Sequence, residues 1–231
     1  MQNKPKLFCF TYAGGTAAFF DEIEQDLEDV DIVKLEYSGH GERHKEGFYK
    51  DFDELADDMF SVITGQHVDQ YALFGYSMGS ISAVEVLKRI LSSNLPAPSN
   101  VFLCAHEPKT RYALQLLSED ELDNWVKERT IQFGDVPKKL MNNRVFWRTY
   151  LPIYRADYTI IGKYSFEELN LQTDIPTTVF YSETDTPLED MRLWENYFKG
   201  LVEYQEYDGN HFFIREHHKE IAEVIKIRLG V

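Results

Sequence analysis

The sequence has only two cysteines, Cys9 and Cys104, among 231 residues. Each sits in a short apolar run, "LFCF" and "VFLCA". That argues against a disulfide framework or a cysteine metal cluster and predicts two buried, reduced thiols in strands. Long apolar runs are also missing. No stretch approaches the roughly 18 apolar residues of a membrane helix, and "MQNKPKLFCF" lacks the apolar centre of a secretory leader. The expectation is a soluble, cytoplasmic protein with no membrane partner. Positive charge is scarce: 24 Lys and Arg stand against 39 Asp and Glu, a formal balance of −15. A chain so acidic repels nucleic acid, which is therefore not expected as a partner. Internal repeats and low-complexity segments are absent.

What the sequence does have is apolar material for one domain. Hydrophobic residues make up 43%, with 16 Phe and 14 Tyr, enough to rule out global disorder. Short apolar runs at 6–12, 31–37, 71–76, 100–105, 177–182 and 202–207 read as six strands. Helical patterns at 51–66, 80–91, 188–200 and 215–230 alternate with them. In 51–66 the apolar residues Phe52, Leu55, Met59, Phe60 and Ile63 recur at helical spacing. Strands alternating with helices predict an α/β fold with a mostly parallel, covered sheet. The rhythm breaks between the fourth and fifth strands. Residues 110–165 are too long for one crossover and read as an inserted helical lid over the sheet, within a single domain spanning 1–231.

The chemistry centres on "FGYSMGS", residues 74–80. Gly75, Ser77 and Gly79 fit G-x-S-x-G, a strand-to-helix turn that exposes a nucleophilic serine. Glycine is needed on both sides because a Cβ would strike the neighbouring strand and helix. The strand "YALFGY" precedes Ser77 and the helical "MGSISAVEVLKRIL" follows it, as that turn requires. A serine hydroxyl needs a base, and the base an orienting acid, in the chain order Ser, acid, His. His40, His44 and His67 precede Ser77, and His106 follows the fourth strand. His217 and His218 lie in the last helix and are expected to face solvent. His211, in the turn before that helix, opens on the same sheet edge as Ser77 and is the expected base. The acid is less determined. Asp185, just past the fifth strand, is favoured, and Glu107, after the fourth, is its rival. Glu183, Asp190 and Asp208 are weaker candidates. Two backbone N–H groups should hold the oxyanion, those of Met78 and of Ala13 in "TYAGGT".

Four segments carry a resemblance. "FTYAGGTAAFF", "YSGHGER", "GYSMGS" and "DGNHFFI" resemble the motifs F-P-x-A-G-G, P-G-R-G-x-R, G-H-S-M-G-A and G-G-H-F-F of the type II thioesterases. These are stand-alone α/β-hydrolases encoded beside nonribosomal peptide and polyketide synthases, and the likeness spans nearly the whole chain. It implies an α/β-hydrolase fold, a triad of Ser77, Asp185 and His211, and an oxyanion hole at Ala13 and Met78. It further implies hydrolysis of stalled or misprimed acyl groups from the phosphopantetheine arm of carrier proteins. No metal or cofactor of the chain's own is implied, since the arm belongs to the partner. Thr11, Ser38, His40, Tyr76 and Asn210 depart from the family pattern, and none removes a triad member. Two other readings use the same residues: an esterase, acyl-CoA thioesterase or acyltransferase with the same triad, and a non-catalytic module keeping a ligand pocket.

Within the lid, Trp125, Phe133, Phe146, Trp147 and Tyr150 are candidates to line an acyl channel. Between 109 and 163 ten basic residues, Arg111 among them, outnumber seven acidic ones, against the trend of the chain. Lys138, Lys139, Arg144 and Arg148 are candidates for a basic rim that receives an acidic carrier protein. A monomer is expected.

Overall fold

Six strands form one sheet: β1 (Lys6–Phe10), β2 (Asp31–Leu35), β3 (Tyr71–Tyr76), β4 (Asn100–Cys104), β5 (Thr177–Tyr181) and β6 (Val202–Glu206). All pair in parallel, in the order β2-β1-β3-β4-β5-β6. The computed structural model describes residues 4–66, 69–109 and 114–231; His67, Arg111 and the first residues of the expected lid lie outside these. The four central strands are apolar on both faces, and their side chains alternate between two cores. Phe8, Phe10, Leu73, Leu103 and Val179 face one. Leu7, Cys9, Phe74, Phe102 and Phe180 face the other. A parallel sheet with helices on both faces has no wet side, so its strands read as continuous apolar runs.

The helices follow local signals. After the short α1 (Asp21–Glu24), α2 (Phe52–Thr64) starts at Asp51, whose side chain accepts the Glu54 N–H at 2.9 Å. Helix α3 (Met78–Leu91) springs from Ser77. Two longer helices lie between β4 and β5. Helix α4 (Glu119–Phe133) opens on a Ser118–Glu121 capping box. Helix α5 (Arg144–Lys163) opens on Asn143, which accepts two backbone N–H groups. Helix α7 (Ile214–Leu229) closes the chain. The pattern over 188–200 gives something shorter than the expected helix: α6 (Leu188–Met191) tightens into a 3-10 turn at Arg192–Asn196. The reason is visible in the sequence. Leu188, Met191 and Trp194 recur every three residues, the period of the 3-10 form.

Strand order reverses beside β1, with β2 on one side and β3 on the other. The connections leaving β1 and β3 therefore diverge, and a crevice opens at their carboxyl ends. Every loop discussed below lies at that edge.

Candidate active site

Ser77 sits at the β3–α3 turn with φ 54° and ψ −119°, a backbone conformation that L side chains rarely adopt. The turn is tight enough to exclude any side chain beside it. A Cβ on Gly75 would lie 2.3 Å from the Gly79 carbonyl oxygen, and one on Gly79 would lie 2.0 Å from that of Phe10. The Ser77 N–H donates to the Cys104 carbonyl at 2.7 Å, tying the turn to the end of β4.

The loops after β5 and β6 bring two more side chains to this point. Ser77 Oγ lies 2.9 Å from His211 Nε2, and His211 Nδ1 lies 2.9 Å from Asp185 Oδ2. His211 and Asp185 are 6% and 8% exposed, so little water competes for these bonds. In this arrangement the hydroxyl can pass its proton to Nε2 while Nδ1–H stays on the carboxylate. The other acids are engaged elsewhere. Glu107 is buried nearby but accepts the Thr186 hydroxyl; Glu183 caps the Leu188 N–H; Asp190 pairs with Lys109; Asp208 faces His217. His217 and His218 are three-quarters covered and meet Asp208 and Asp26, rather than facing solvent. The Met78 amide opens α3, so it has no carbonyl a turn earlier to bond. Ala13, in the loop after β1, lines the same cavity as Ser77.

That cavity has a volume of about 240 Å³. Ser77, His211 and Asp185 stand on its floor; Arg129 and Phe133 of α4 and Tyr158 and Ile161 of α5 wall it. Among the described residues no group of three or more His, Cys, Asp or Glu side chains could hold a metal ion. The thioesterase-domain family model matches residues 5–229.

The chain belongs to the thioesterase family. It is a thioester hydrolase with the α/β-hydrolase fold. It is 27% identical over 216 residues to the human medium-chain S-acyl fatty acid synthase thioesterase, covering 90% of this chain and 80% of that one. Among solved structures it resembles the type II thioesterase BorB of the borrelidin biosynthetic cluster, with a TM-score of 0.84 and 26% identity over 99% of this chain and 94% of that one. It also resembles RedJ, the thioesterase of the prodiginine pathway of Streptomyces coelicolor, with a TM-score of 0.86 and 25% identity over 98% and 86%.

Of the five aromatics singled out in the sequence, Phe133 lines the thioesterase's cavity, its ring stacked 4.0 Å from that of His211. Arg129 lies over Phe133, also at 4.0 Å. The other four lie elsewhere. Trp125 packs edge-on against Tyr158. Phe146 stacks on Tyr150 and meets Trp147, whose indole N–H donates to the Met141 carbonyl. Sequence reasoning passed over Tyr158, Ile161, Tyr164 and Phe166, which do wall the cavity. For Tyr158 and Ile161 the signal was present as an apolar periodicity continuing to the end of α5; Tyr164 and Phe166 lie just past it. Lys138, Lys139, Arg144 and Arg148 are exposed on the turn between α4 and α5 and on α5's first turns, away from the cavity.

Two departures from the family motifs have visible work. The Tyr76 hydroxyl donates to the His211 carbonyl at 2.6 Å, fixing the backbone of that histidine. Asn210 Oδ1 accepts the Phe212 N–H at 2.8 Å, closing the turn that presents His211. Burial pushes the thiols of Cys9 and Cys104 well above the ordinary cysteine range, which leaves both without nucleophilic character.

Proposed function

We propose that this thioesterase removes stalled or misprimed acyl groups from the phosphopantetheine arm of carrier proteins in nonribosomal peptide or polyketide biosynthesis. The observation that carries the catalytic part is the unbroken chain from Ser77 Oγ through His211 to Asp185, at 2.9 Å per step, on the floor of a cavity. Similarity to the stand-alone biosynthetic thioesterases BorB and RedJ supports the carrier-bound substrate.

In this reading Ser77 attacks the thioester carbonyl as His211 takes its proton. Asp185 holds the imidazole in the correct tautomer and stabilises the imidazolium. The Ala13 and Met78 amides receive the oxyanion; such donors contribute about 3 kcal/mol each to the transition state. His211 protonates the departing pantetheine thiol, then activates the water that frees the acid from Ser77. The chain needs no cofactor of its own, because the partner carries the arm. Residues 114–165 act as the lid, meeting the site through Arg129 and Phe133 of α4 and Tyr158 and Ile161 of α5.

Ser77→Ala should lose about 10³-fold or more in hydrolysis of acyl-carrier substrate while keeping its fold. Turnover within tenfold of the parent removes Ser77 from the mechanism. Acyl-carrier protein should outpace the matching acyl-CoA in kcat/KM, and the reverse ranking would favour a small-molecule thioesterase.

A further inference from the structure

The turn after β2 holds a second buried histidine paired with an acid. His40 is 1% exposed and Asp157, from α5, is 4% exposed. Imidazole Nδ1 lies 3.0 Å from the Ser38 carbonyl oxygen, and Nε2 lies 2.9 Å from Asp157 Oδ2. Both neighbours are acceptors. A carbonyl has no proton to give, so Nδ1 must carry one, and a second proton must lie between Nε2 and Oδ2. Imidazole is far more basic than a carboxylate, which places that proton on nitrogen. The same Oδ2 accepts the Gly14 N–H at 2.6 Å, as an ionised carboxylate would. The β1 loop, the β2 turn and α5 thus meet at one oxygen.

The surroundings are consistent with a charged ring. Tyr37 and Phe48 lie edge-on at 5.8 and 6.2 Å, and the Tyr37 hydroxyl is engaged with Ser82 and the Thr11 carbonyl. The charged groups acting on His40 are Asp157 from α5 and Glu36 from its own segment. Burial disfavours the imidazolium, but Asp157, by charge and hydrogen bond, the Ser38 carbonyl and Glu36 outweigh it, and the pKa lies above the ordinary histidine value.

Gly14 is the residue after Ala13. It has φ +80°, and a Cβ there would lie 2.0 Å from the Tyr154 ring of α5, so only glycine fits. On the other side of Ala13, the Tyr12 hydroxyl donates to Asp135 at 2.9 Å. Ala13 is therefore suspended between two anchored neighbours.

We propose that His40 is a positioning residue of this thioesterase: its ion pair with Asp157 fixes Gly14 and thereby aims the Ala13 N–H at the developing oxyanion. The inference rests on the reading of Ala13 as an oxyanion donor. When His40 loses its proton, the Nε2 lone pair faces the Asp157 carboxylate. The pair then repels, and Gly14 loses its fixed acceptor. The rate falls on the alkaline side as His40 loses its proton.

The test is the pH dependence of kcat and KM for the parent, His40→Asn and His40→Arg on one acyl-carrier substrate. His40→Asn should lower kcat about tenfold at neutral pH with KM within about twofold, because a transition-state contact is lost. His40→Arg, charged at every accessible pH, should stay within about threefold of the parent at neutral pH and lack the alkaline limb. Parental kcat in His40→Asn, or an unchanged alkaline limb in His40→Arg, overturns the proposal. Imidazole nitrogen NMR of the unaltered protein tests it independently of whether the variants fold. His40 should remain doubly protonated at neutral pH, and a neutral ring there overturns the proposal. Ser77→Ala separates the two readings. An inactive Ser77→Ala beside normal His40 variants sinks the positioning role alone, whereas an active Ser77→Ala sinks the triad.

Discussion

Asp185 and Glu107 both reach the catalytic edge, from the loops after the consecutive, paired strands β5 and β4. Only Asp185 bonds His211 Nδ1; Glu107 meets Thr186 instead. Asp185→Asn keeps the shape but offers an amide where a carboxylate held the tautomer. It should cost about 10³- to 10⁴-fold in kcat. Glu107→Gln should stay within about tenfold of the parent, the scale of one hydrogen bond to a neutral group. A reversed ranking in steady-state kinetics would move the acid to the loop after β4. The placements of Ser77 and His211 were legible because a five-residue motif and a position after the last strand both refer to the same sheet edge. The pairing of His40 with Asp157 was not. It joins residues 117 apart, and nothing local to either announces the other.

At the scale of elements, the four central strands were legible because burial on both faces leaves an apolar run, whereas the edge strands β2 and β6 are only partly buried. The segment between β4 and β5 was legible as helical but not in its orientation. Helix α5 has 20 residues and is therefore about 30 Å long. Phe146 and Tyr150 lie on its first turns, while Tyr158 and Ile161, which wall the cavity, lie about two to four turns later. Aromatic content alone cannot say which end of such a helix reaches the serine. The consequence is a contrast between two lid aromatics. Phe133→Ala removes a ring stacked on His211 and should lower kcat/KM about five- to tenfold, the equivalent of about 1 kcal/mol for an aromatic contact. Phe146→Ala should leave kcat/KM within about twofold. Equal losses on acetyl- and longer acyl-carrier substrates in both variants would mean that the lid acts only through its packing.

For the whole molecule the question is how a chain of net charge −15 would meet the proposed carrier protein, if that partner is acidic. Lys138 and Lys139 lie on the turn before α5, and Arg144 and Arg148 lie near its start. Among the described residues, none of the four has an ion-pair partner. Arg144 lies in the first turn of α5, where the helix dipole disfavours cations by a few tenths of a kcal/mol. A cation held against that preference is consistent with the proposed docking rim. Reversing Lys138 and Lys139 to Glu should raise KM for acyl-carrier protein several-fold at low salt and less at high salt, because exposed charges are screened over about 8 Å at physiological ionic strength. A small acyl-pantetheine mimic should be unaffected, and equal change on both substrates would rule the rim out as a docking surface.

The backbone of Ser77 places activity and endurance in conflict. With φ at 54°, the proposed nucleophile occupies a conformation that costs a non-glycine residue on the order of 1–3 kcal/mol. The folded state bears that cost whether or not substrate is present. Ser77→Gly relieves it, and Ser77→Ala does not, although both lack the hydroxyl. Even after glycine's larger entropy loss on folding, the glycine variant should be the more stable of the two by about 1 kcal/mol. For a chain of this length that is a thermal midpoint about 2–4 °C higher. Calorimetry on the two inactive proteins measures the difference directly, and equal midpoints would mean that the turn is unstrained. Random mutagenesis screened for thermal survival alone should therefore favour glycine at the very position proposed to carry hydrolysis.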